Sequence, residues 1–378
     1  MIKPVKTAIV GCGGISDAYL NTMINKFKIL DVVGCYDRHP GKVQAKAQKY
    51  GIKALSMEEI LADASIEMVV NLTTPTSHYP VIKQLLEAGK HVYTEKVLSV
   101  ELEHAAELVK IANQKNLYLG AAPDTFLGSA IQTARYVVDS CMLGEVTSCY
   151  STLTRDGEIF SRAFPFTAMP GGGIGFDVGI YHITALLSIL GPVREVSGVV
   201  RTRNPERGDY SLGHFGESFQ IQCENLMAGI LQFECGTIGN ILFDANSIFT
   251  APERPSLVLF GTMGVMYMAD PNQFGGEVKL ILKGNNEPFV MQQSHAFSDE
   301  YRGLGVAEMA WSLRKNRKNR ANKEMAYHAL EVLHGIVKSS ETKFNQVMGS
   351  TFEKMPPIHR GYSGQTYFEF IEEAGIAL

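Results

Sequence analysis

The chain begins with an apolar run, Val5 to Val10, that passes directly into Gly11-Cys12-Gly13-Gly14-Ile15-Ser16. A buried strand, a glycine turn and the start of a helix, in that order, is a narrow specification. It suits the pyrophosphate of a dinucleotide. Gly11 permits the tight turn, Gly13 lets the backbone approach the phosphates, and the helix that follows aims its N–H groups and positive dipole end at them. Cys12, Gly14 and Ile15 complete the same phosphate-facing turn. Ser16 takes the third fingerprint position, where glycine or alanine is usual, and is small enough for close helix–strand packing.

The next acid lies at the matching distance. Asp37 ends a second apolar run, 32–36, after a helical stretch over 16–26. In a βαβ nucleotide fold a carboxylate here accepts hydrogen bonds from the adenosine ribose and repels a 2′-phosphate. Without the glycine turn, Asp37 would read as an ordinary loop acid. The neighbouring Arg38 is the residue type that serves a 2′-phosphate, but Asp37 stands first, so NAD is expected over NADP.

The first third keeps alternating. Helical stretches at 41–50, 57–62, 77–88 and 101–113 separate strand-like runs at 66–72, 91–94 and 117–121. That pattern predicts a doubly wound parallel sheet of the α/β class, with ligands at the carboxyl ends of its strands. Gly11, Asp37, Thr73, Thr74, Glu95 and Lys96 all fall at such ends. Beyond Gly128 a helical segment over 129–139 leads to a strand-like run at 145–154, and a glycine-rich stretch introduces an apolar helix ending at 190. Strand runs follow at 196–201, 217–223, 228–234, 237–244, 257–260 and 278–282, then helices near 300–313 and 323–339. Consecutive strands with short connections predict a largely antiparallel open sheet in an α+β domain. A length of 378 residues is long for one core. Two domains are expected, a Rossmann dinucleotide-binding domain over 1–125 and a substrate-binding, oligomerising domain over 126–378.

Composition narrows the partners. With 45% hydrophobic residues, 20% charged residues and a net charge of −4, there is no electrostatic case for nucleic acid or an anionic membrane. No apolar stretch is long enough to span a bilayer, and the first strand begins too early for a signal peptide, so a cytoplasmic protein is expected. The basic run at 314–320 reads as a solvated helix end. Cys12, Cys35, Cys141, Cys149, Cys223 and Cys235 show no C-x-x-C pair and no metal spacing, which fits buried reduced thiols and no bound metal.

Two further motifs carry chemistry. Thr73-Thr74-Pro75-Thr76-Ser77-His78 precedes Ala88-Gly89-Lys90-His91-Val92-Tyr93-Thr94-Glu95-Lys96, and later comes Gly171-Gly172-Gly173-Ile174-Gly175-Phe176-Asp177-Val178-Gly179-Ile180-Tyr181-His182. Together with the N-terminal turn and the late stretch Ala326-Tyr327-His328-Ala329-Leu330-Glu331-Val332-Leu333, they resemble the glucose-fructose oxidoreductase / inositol dehydrogenase / MocA family of nicotinamide-dependent sugar oxidoreductases. The resemblance covers essentially the whole chain. It implies that Lys96 and Asp177 meet at the nicotinamide, where substrate enters between the domains. It also implies that Thr73, Thr74, Pro75, His78 and Glu95 border the cofactor, and that copies pair through the open sheet as a homodimer or homotetramer.

The chemistry agrees with those residue types. Oxidising a secondary alcohol requires a group that takes the hydroxyl proton and titrates near working pH. Burial beside a nicotinamide cation would lower the Lys96 amine towards that range, while Asp177 orients a sugar hydroxyl or holds Lys96. Without the resemblance, Lys96 is a surface lysine after a strand and Asp177 a helix-start acid.

Three departures matter. Family members usually carry proline after the lysine, with a cis bond before it; here Val97 follows, and because a cis non-proline bond costs roughly 3–4 kcal/mol a trans bond is expected. Many members place histidine four residues after the aspartate, where this chain has Tyr181, with His182 next. On a regular helix the fourth residue lies about 40° round from Asp177 and the fifth about 140°. Tyr181, its phenol lowered by Lys96, is therefore expected to carry the proton, with His182 as the competing candidate. The segment 122–128 lacks the usual Asn/Arg-Arg pattern; its Asp124 is either a substrate contact or a turn acid. Arg155, Asp156 and His328 are lesser substrate candidates, and His78 is either a cofactor neighbour or a helix cap.

The expected function is NAD-dependent oxidoreduction at a secondary hydroxyl of a sugar, glycoside or cyclic polyol. Two alternatives stand beside it. One is an NAD-retaining glycosidase working by transient oxidation and elimination. The other is a nucleotide-binding regulatory protein whose catalytic site has decayed, and the missing proline after Lys96 is its only support.

Overall fold

The computed structural model describes residues 2–209, 216–247 and 256–364. The end of the expected second domain, beyond 364, lies outside the described residues. Strands β1 (Val5–Val10), β2 (Leu30–Tyr36), β3 (Lys53–Ala54), β4 (Met68–Asn71), β5 (His91–Thr94) and β6 (Leu119–Ala121) alternate with helices. These are α1 (Ser16–Asn25), α2 (Pro40–Tyr50), α3 (Met57–Ala62), α4 (Pro75–Glu87) and α5 (Leu102–Gln114). The strands form one parallel sheet in the order β3-β2-β1-β4-β5-β6. Every residue of β4 is buried, as a strand with helices on both faces requires. Local signals start the helices: Pro40 and Pro75 occupy first turns, where proline loses no hydrogen bond, and Ser56 with Glu59 forms a capping box ahead of α3.

Strand order reverses between β1 and β4, which opens a crevice at their carboxyl ends. Gly11 turns there with φ 104°. A Cβ on it would stand 2.6 Å from the Leu72 carbonyl carbon, so no larger residue fits this close approach of two backbones.

The second region holds α6 (Ser129–Asp139), β7 (Val146–Thr154), α7 (Gly157–Ala163), a π-turn (Gly175–Gly179) and α8 (Ile180–Leu190). It continues with β8 (Val193–Arg201), β9 (Glu206–Asp209), β10 (Glu217–Gln220), β11 (Leu226–Phe233), β12 (Ile238–Asp244), β13 (Leu257–Gly261), β14 (Gly264–Met268), β15 (Val278–Leu282) and β16 (Phe289–Val290). Helices α9 (Leu304–Lys315) and α10 (Lys323–Thr342) and the short β17 (Gln346–Val347) close it. The large sheet runs β16-β15-β14-β13-β7-β12-β11-β8-β17 and is antiparallel except where β7 meets β12. Its inner face, including Met227, Leu231, Phe233, Ile241 and Phe243, is fully buried. On its outer face Val199 is 51% exposed, Ile230 46%, Ile238 55% and Leu242 42%.

Two expectations change here. The basic run is not a solvated helix end: Arg314 pairs with Glu67, while Arg317 and Arg320 both pair with Glu308. Glu308 is 1% exposed, and a buried carboxylate requires such partners. Nor are all six thiols buried, since Cys141 and Cys235 are exposed. Helix α9 packs back against α1, β5 and β6, and Asn322 bridges antiparallel to Gly120 at the β6 edge. Among the described residues no helix is long and apolar enough to cross a membrane.

Candidate active site

The crevice at the β1–β4 junction is shaped by backbone. Nothing lies within 4 Å of where a Cβ would sit on Gly13 or Gly14, and no side chain caps the first turn of α1. Asp37 closes one end: its Oδ2 accepts from the Cys12 amide at 2.8 Å and its Oδ1 from the His39 amide at 2.9 Å. Arg38 points to the exposed His39 ring, Nε to Nε2 at 3.3 Å. Ile15 is exposed beside the turn, and Ser16 is buried with its hydroxyl donating to the Gly13 carbonyl at 2.6 Å. An open, side-chain-free cradle at a helix start, ending on a carboxylate, fits a dinucleotide.

A polar ladder joins the neighbouring strand ends. Thr73 Oγ1 donates to Asn71 Oδ1 at 2.8 Å, and Asn71 Nδ2 donates to Thr94 Oγ1 at 3.0 Å. Thr74 and Pro75 begin α4. Glu95 accepts from the Tyr19 hydroxyl at 2.7 Å and from the Lys96 amide at 3.0 Å. His78 is fully buried, with Nδ1 2.6 Å from the Val97 carbonyl and Nε2 3.0 Å from that of Thr73. It therefore ties α4 to the segment after Lys96, and burial lowers its pKa. The Lys96–Val97 peptide is cis, where a trans bond was expected. Val97 is buried and its carbonyl is gripped by His78, so the segment is held here without the proline.

Lys96 Nζ donates to the Asp177 carbonyl at 2.6 Å and ion-pairs with its carboxylate. Arg155 Nη1 takes the other Asp177 oxygen at 2.7 Å. The Tyr181 ring lies 5.6 Å from Lys96 Nζ. The helix does not begin regularly, since Asp177 lies in the π-turn. Its i→i+5 bonding lowers the rotation per residue, which by itself swings His182 towards the Asp177 face, so the ring's position is set by its packing and not by the turn. His182 is buried against the large sheet, with Nδ1 2.6 Å from Ser151 Oγ and its ring beside Phe243; burial pushes it down to about 4.

The charges differ from the sequence expectation. Burial opposes the Lys96 charge, but Asp177, Tyr181 and Glu95 outweigh it and hold the amine above its usual range rather than below it. Burial likewise raises the Tyr181 phenol, an effect that Lys96 and Arg302 offset only in part. Asp177 is opposed by burial yet held low by Lys96 and Arg155. In this state the group is an ammonium, a carboxylate, a guanidinium and a neutral phenol.

Of the other candidates, Asp124 stands near Glu95 and Arg302, while His328 and Asp156 find their partners elsewhere. Asp124 is buried, and its Oδ2 accepts from the Gly303 and Gly305 amides, each at 3.0 Å, at the start of α9; burial pushes it up to about 6. His328 Nε2 accepts from the Val193 amide at 2.9 Å, far along the sheet, and Asp156 bridges to Asn246. Two neighbours of the site carried no local sequence signal. Arg302, in the turn before α9, sets its guanidinium against the Tyr181 hydroxyl. Glu224, just before β11, lies under the glycine run, and burial raises it to about 7.

Comparisons with known proteins match two successive stretches of the chain. Residues 5–122 match the oxidoreductase family, NAD-binding Rossmann fold, and residues 131–267 match the GFO/IDH/MocA C-terminal domain. The alignments span about half the length of the first curated relatives. A D-glucoside 3-dehydrogenase of Escherichia coli is 27% identical over 62% of this chain and 69% of its own. An Agrobacterium radiobacter oxidoreductase solved with NAD+, L-tartaric acid and magnesium superimposes with a TM-score of 0.76 at 16% identity, over 92% and 99% of the two chains. An aldose-aldose oxidoreductase of Caulobacter crescentus, solved with glycerol, gives 0.76 at 16% identity, over 92% and 100%. The chain belongs to the GFO/IDH/MocA family of oxidoreductases with an NAD-binding Rossmann domain.

Proposed function

We propose that this protein interconverts a secondary hydroxyl and a ketone on a sugar, glycoside or cyclic polyol, using NAD in preference to NADP. The observation that carries the reading is the buried Lys96–Asp177–Tyr181 group, reached from the end of β5 and bordering the glycine-lined crevice. The sugar-acting enzymes named among its relatives and structural neighbours support the substrate class. Gly11, Gly13 and Gly14 with the start of α1 would hold the pyrophosphate, and Asp37 the ribose. Bound NAD would supply the two-electron acceptor for the carbinol carbon.

The chain's own residues manage the proton. With Lys96 charged and Tyr181 neutral, the group is set to give a proton to a carbonyl oxygen, the reductive direction. In oxidation the pair must first lose a proton, after which the substrate hydroxyl proton passes to Tyr181 Oη beside Lys96 Nζ. Oxidation is therefore expected to accelerate with rising pH and reduction to slow. Asp177 holds Lys96, and Arg155 holds Asp177. The apolar outer face of the large sheet supports pairing with a second copy, as a homodimer or homotetramer.

The test is a panel of sugars, glycosides and polyols with NAD or NADP, followed by absorbance of reduced nicotinamide in both directions. Cofactor-dependent turnover of one substrate class supports the proposal. Glycoside cleavage without added cofactor, and no net reduction of NAD, overturns it.

A further inference from the structure

The glycine run ahead of Asp177 is not an open cradle like the turn after β1. A Cβ on Gly173 would fall onto the Glu224 carboxyl group, and one on Gly175 would meet Met227 and then Glu224. The space that these glycines vacate is thus filled by a carboxylate arriving from the start of β11. Glu224 Oε1 accepts from the Gly175 amide at 3.1 Å, the Phe176 amide joins it, and the Glu224 carbonyl accepts from the Ile174 amide at 3.1 Å. Three consecutive amides at the head of the π-turn therefore bind one residue. Asp177, the next along, donates its own amide to the Gly173 carbonyl at 2.7 Å. Arg155, which grips Asp177, lines the same small cavity as Glu224.

We propose that Glu224 is a positioning residue for Asp177: it anchors the π-turn and thereby sets where the Asp177 carboxylate meets Lys96 and Arg155. The geometry explains why glycine stands at both 173 and 175, and why the helix opens with a wide turn rather than a regular one. Removing the Glu224 side chain frees the Gly175 and Phe176 amides, lets the turn relax towards regular α geometry and moves Asp177 off Lys96. The catalytic consequence rests on the proposed function, but the movement of Asp177 does not.

The test reads Lys96 directly. Competitive acetylation of the intact protein across pH, with mass-spectrometric readout, reports the Lys96 titration without any substrate. Glu224→Ala should raise Lys96 labelling at mildly alkaline pH several-fold, because burial without a well-placed Asp177 lowers that amine. Glu224→Gln, which keeps an acceptor for the amides, should stay near wild type. Gly173→Ala, which displaces the carboxylate, should behave like Glu224→Ala, and the double variant should be no worse than either single. NAD affinity by calorimetry should change less than threefold throughout, while kcat on any substrate found falls about tenfold or more in Glu224→Ala. Equal Lys96 labelling in all variants overturns the proposal, as does a glutamine variant no better than alanine. Labelling that shifts as expected with no turnover on any substrate would uphold the positioning role and refute the proposed function instead.

Discussion

The two sheets carry their candidate functional residues in opposite ways. In the parallel sheet the central strands β1 and β4 are largely buried on both faces, and the candidate groups stand where strands stop: Gly11 after β1, Asp37 after β2, Thr73 after β4 and Lys96 after β5. Each sits in a short continuous stretch of sequence. In the large sheet one face is covered and the other open, and the site is assembled from pieces distant in the chain. Asp177 and Tyr181 come from a helix, Arg155 from just beyond β7, Glu224 from ahead of β11 and Arg302 from a turn before α9. In the proposed function one region holds the cofactor by backbone, and the other tunes charge by side chains. Substitutions should separate these two jobs.

The sharpest break is Lys96→Ala, at the boundary between the regions. Turnover should fall by about a thousandfold, within the usual range for loss of an acid–base group, while NAD affinity changes less than threefold by calorimetry. Comparable loss of binding would mean that the two jobs are not separate. On the open face, Ile238→Glu with Ile230→Glu should weaken self-association by about a hundredfold or more, since charges would be desolvated in an apolar contact. Light scattering should then show a monomer in place of a wild-type dimer or tetramer, and a monomeric wild type would remove this contrast.

Tyr181→Phe should cost about a hundredfold in oxidation and flatten its pH profile, with His182→Asn within threefold of wild type. The reverse result would transfer the proton to His182. Asp37→Ser should shift the ratio of NAD to NADP affinity about tenfold towards NADP, leaving turnover with saturating cofactor nearly unchanged. Tighter wild-type binding of NADP would refute the role given to Asp37. The smallest effect concerns stability. His182 is held down at about 4 in the fold against 6.5 when free, so the unfolded chain binds its proton first. Stability is therefore lost as pH falls from about 6.5 towards 4. His182→Asn should reduce the drop in Tm between pH 7 and pH 5 by a few degrees, and an unchanged drop would mean that His182 titrates normally.

Legibility in the sequence follows the same contrast. The parallel sheet, its helices and the crevice could be read because a glycine turn, an acid at fixed distance and alternating patterns are local facts. Met57–Ala62, His91–Thr94 and Ser129–Asp139 have the bounds that their sequences predict. Short or irregular elements escaped: Lys53–Ala54 and Gln346–Val347 are too brief for a period, and Gly264–Met268 follows β13 with little between. The π-turn over Gly175–Gly179 has no periodic signature. Protonation states could not be read either. The raised Lys96 and the raised Tyr181 follow from burial and from partners at long separation, Asp177 being 81 residues away from Lys96. Glu224 and Arg302 lie in unremarkable local sequence, and only the fold brings them to the site.

The late segment that leans back on β6 has a practical consequence for anyone recombining these proteins. Asn322 bridges to the edge beside Gly120, and the buried Glu308 clamps the loop leading there through Arg317 and Arg320, so the edge of the nucleotide-binding sheet leans on a later stretch of the chain. A chimera cut only near residue 125 would graft a sheet with a raw edge, an invitation to aggregate. A transplant that carries 304–322 along with the opening third would keep that edge paired, and cofactor preference could then be exchanged between relatives as a unit.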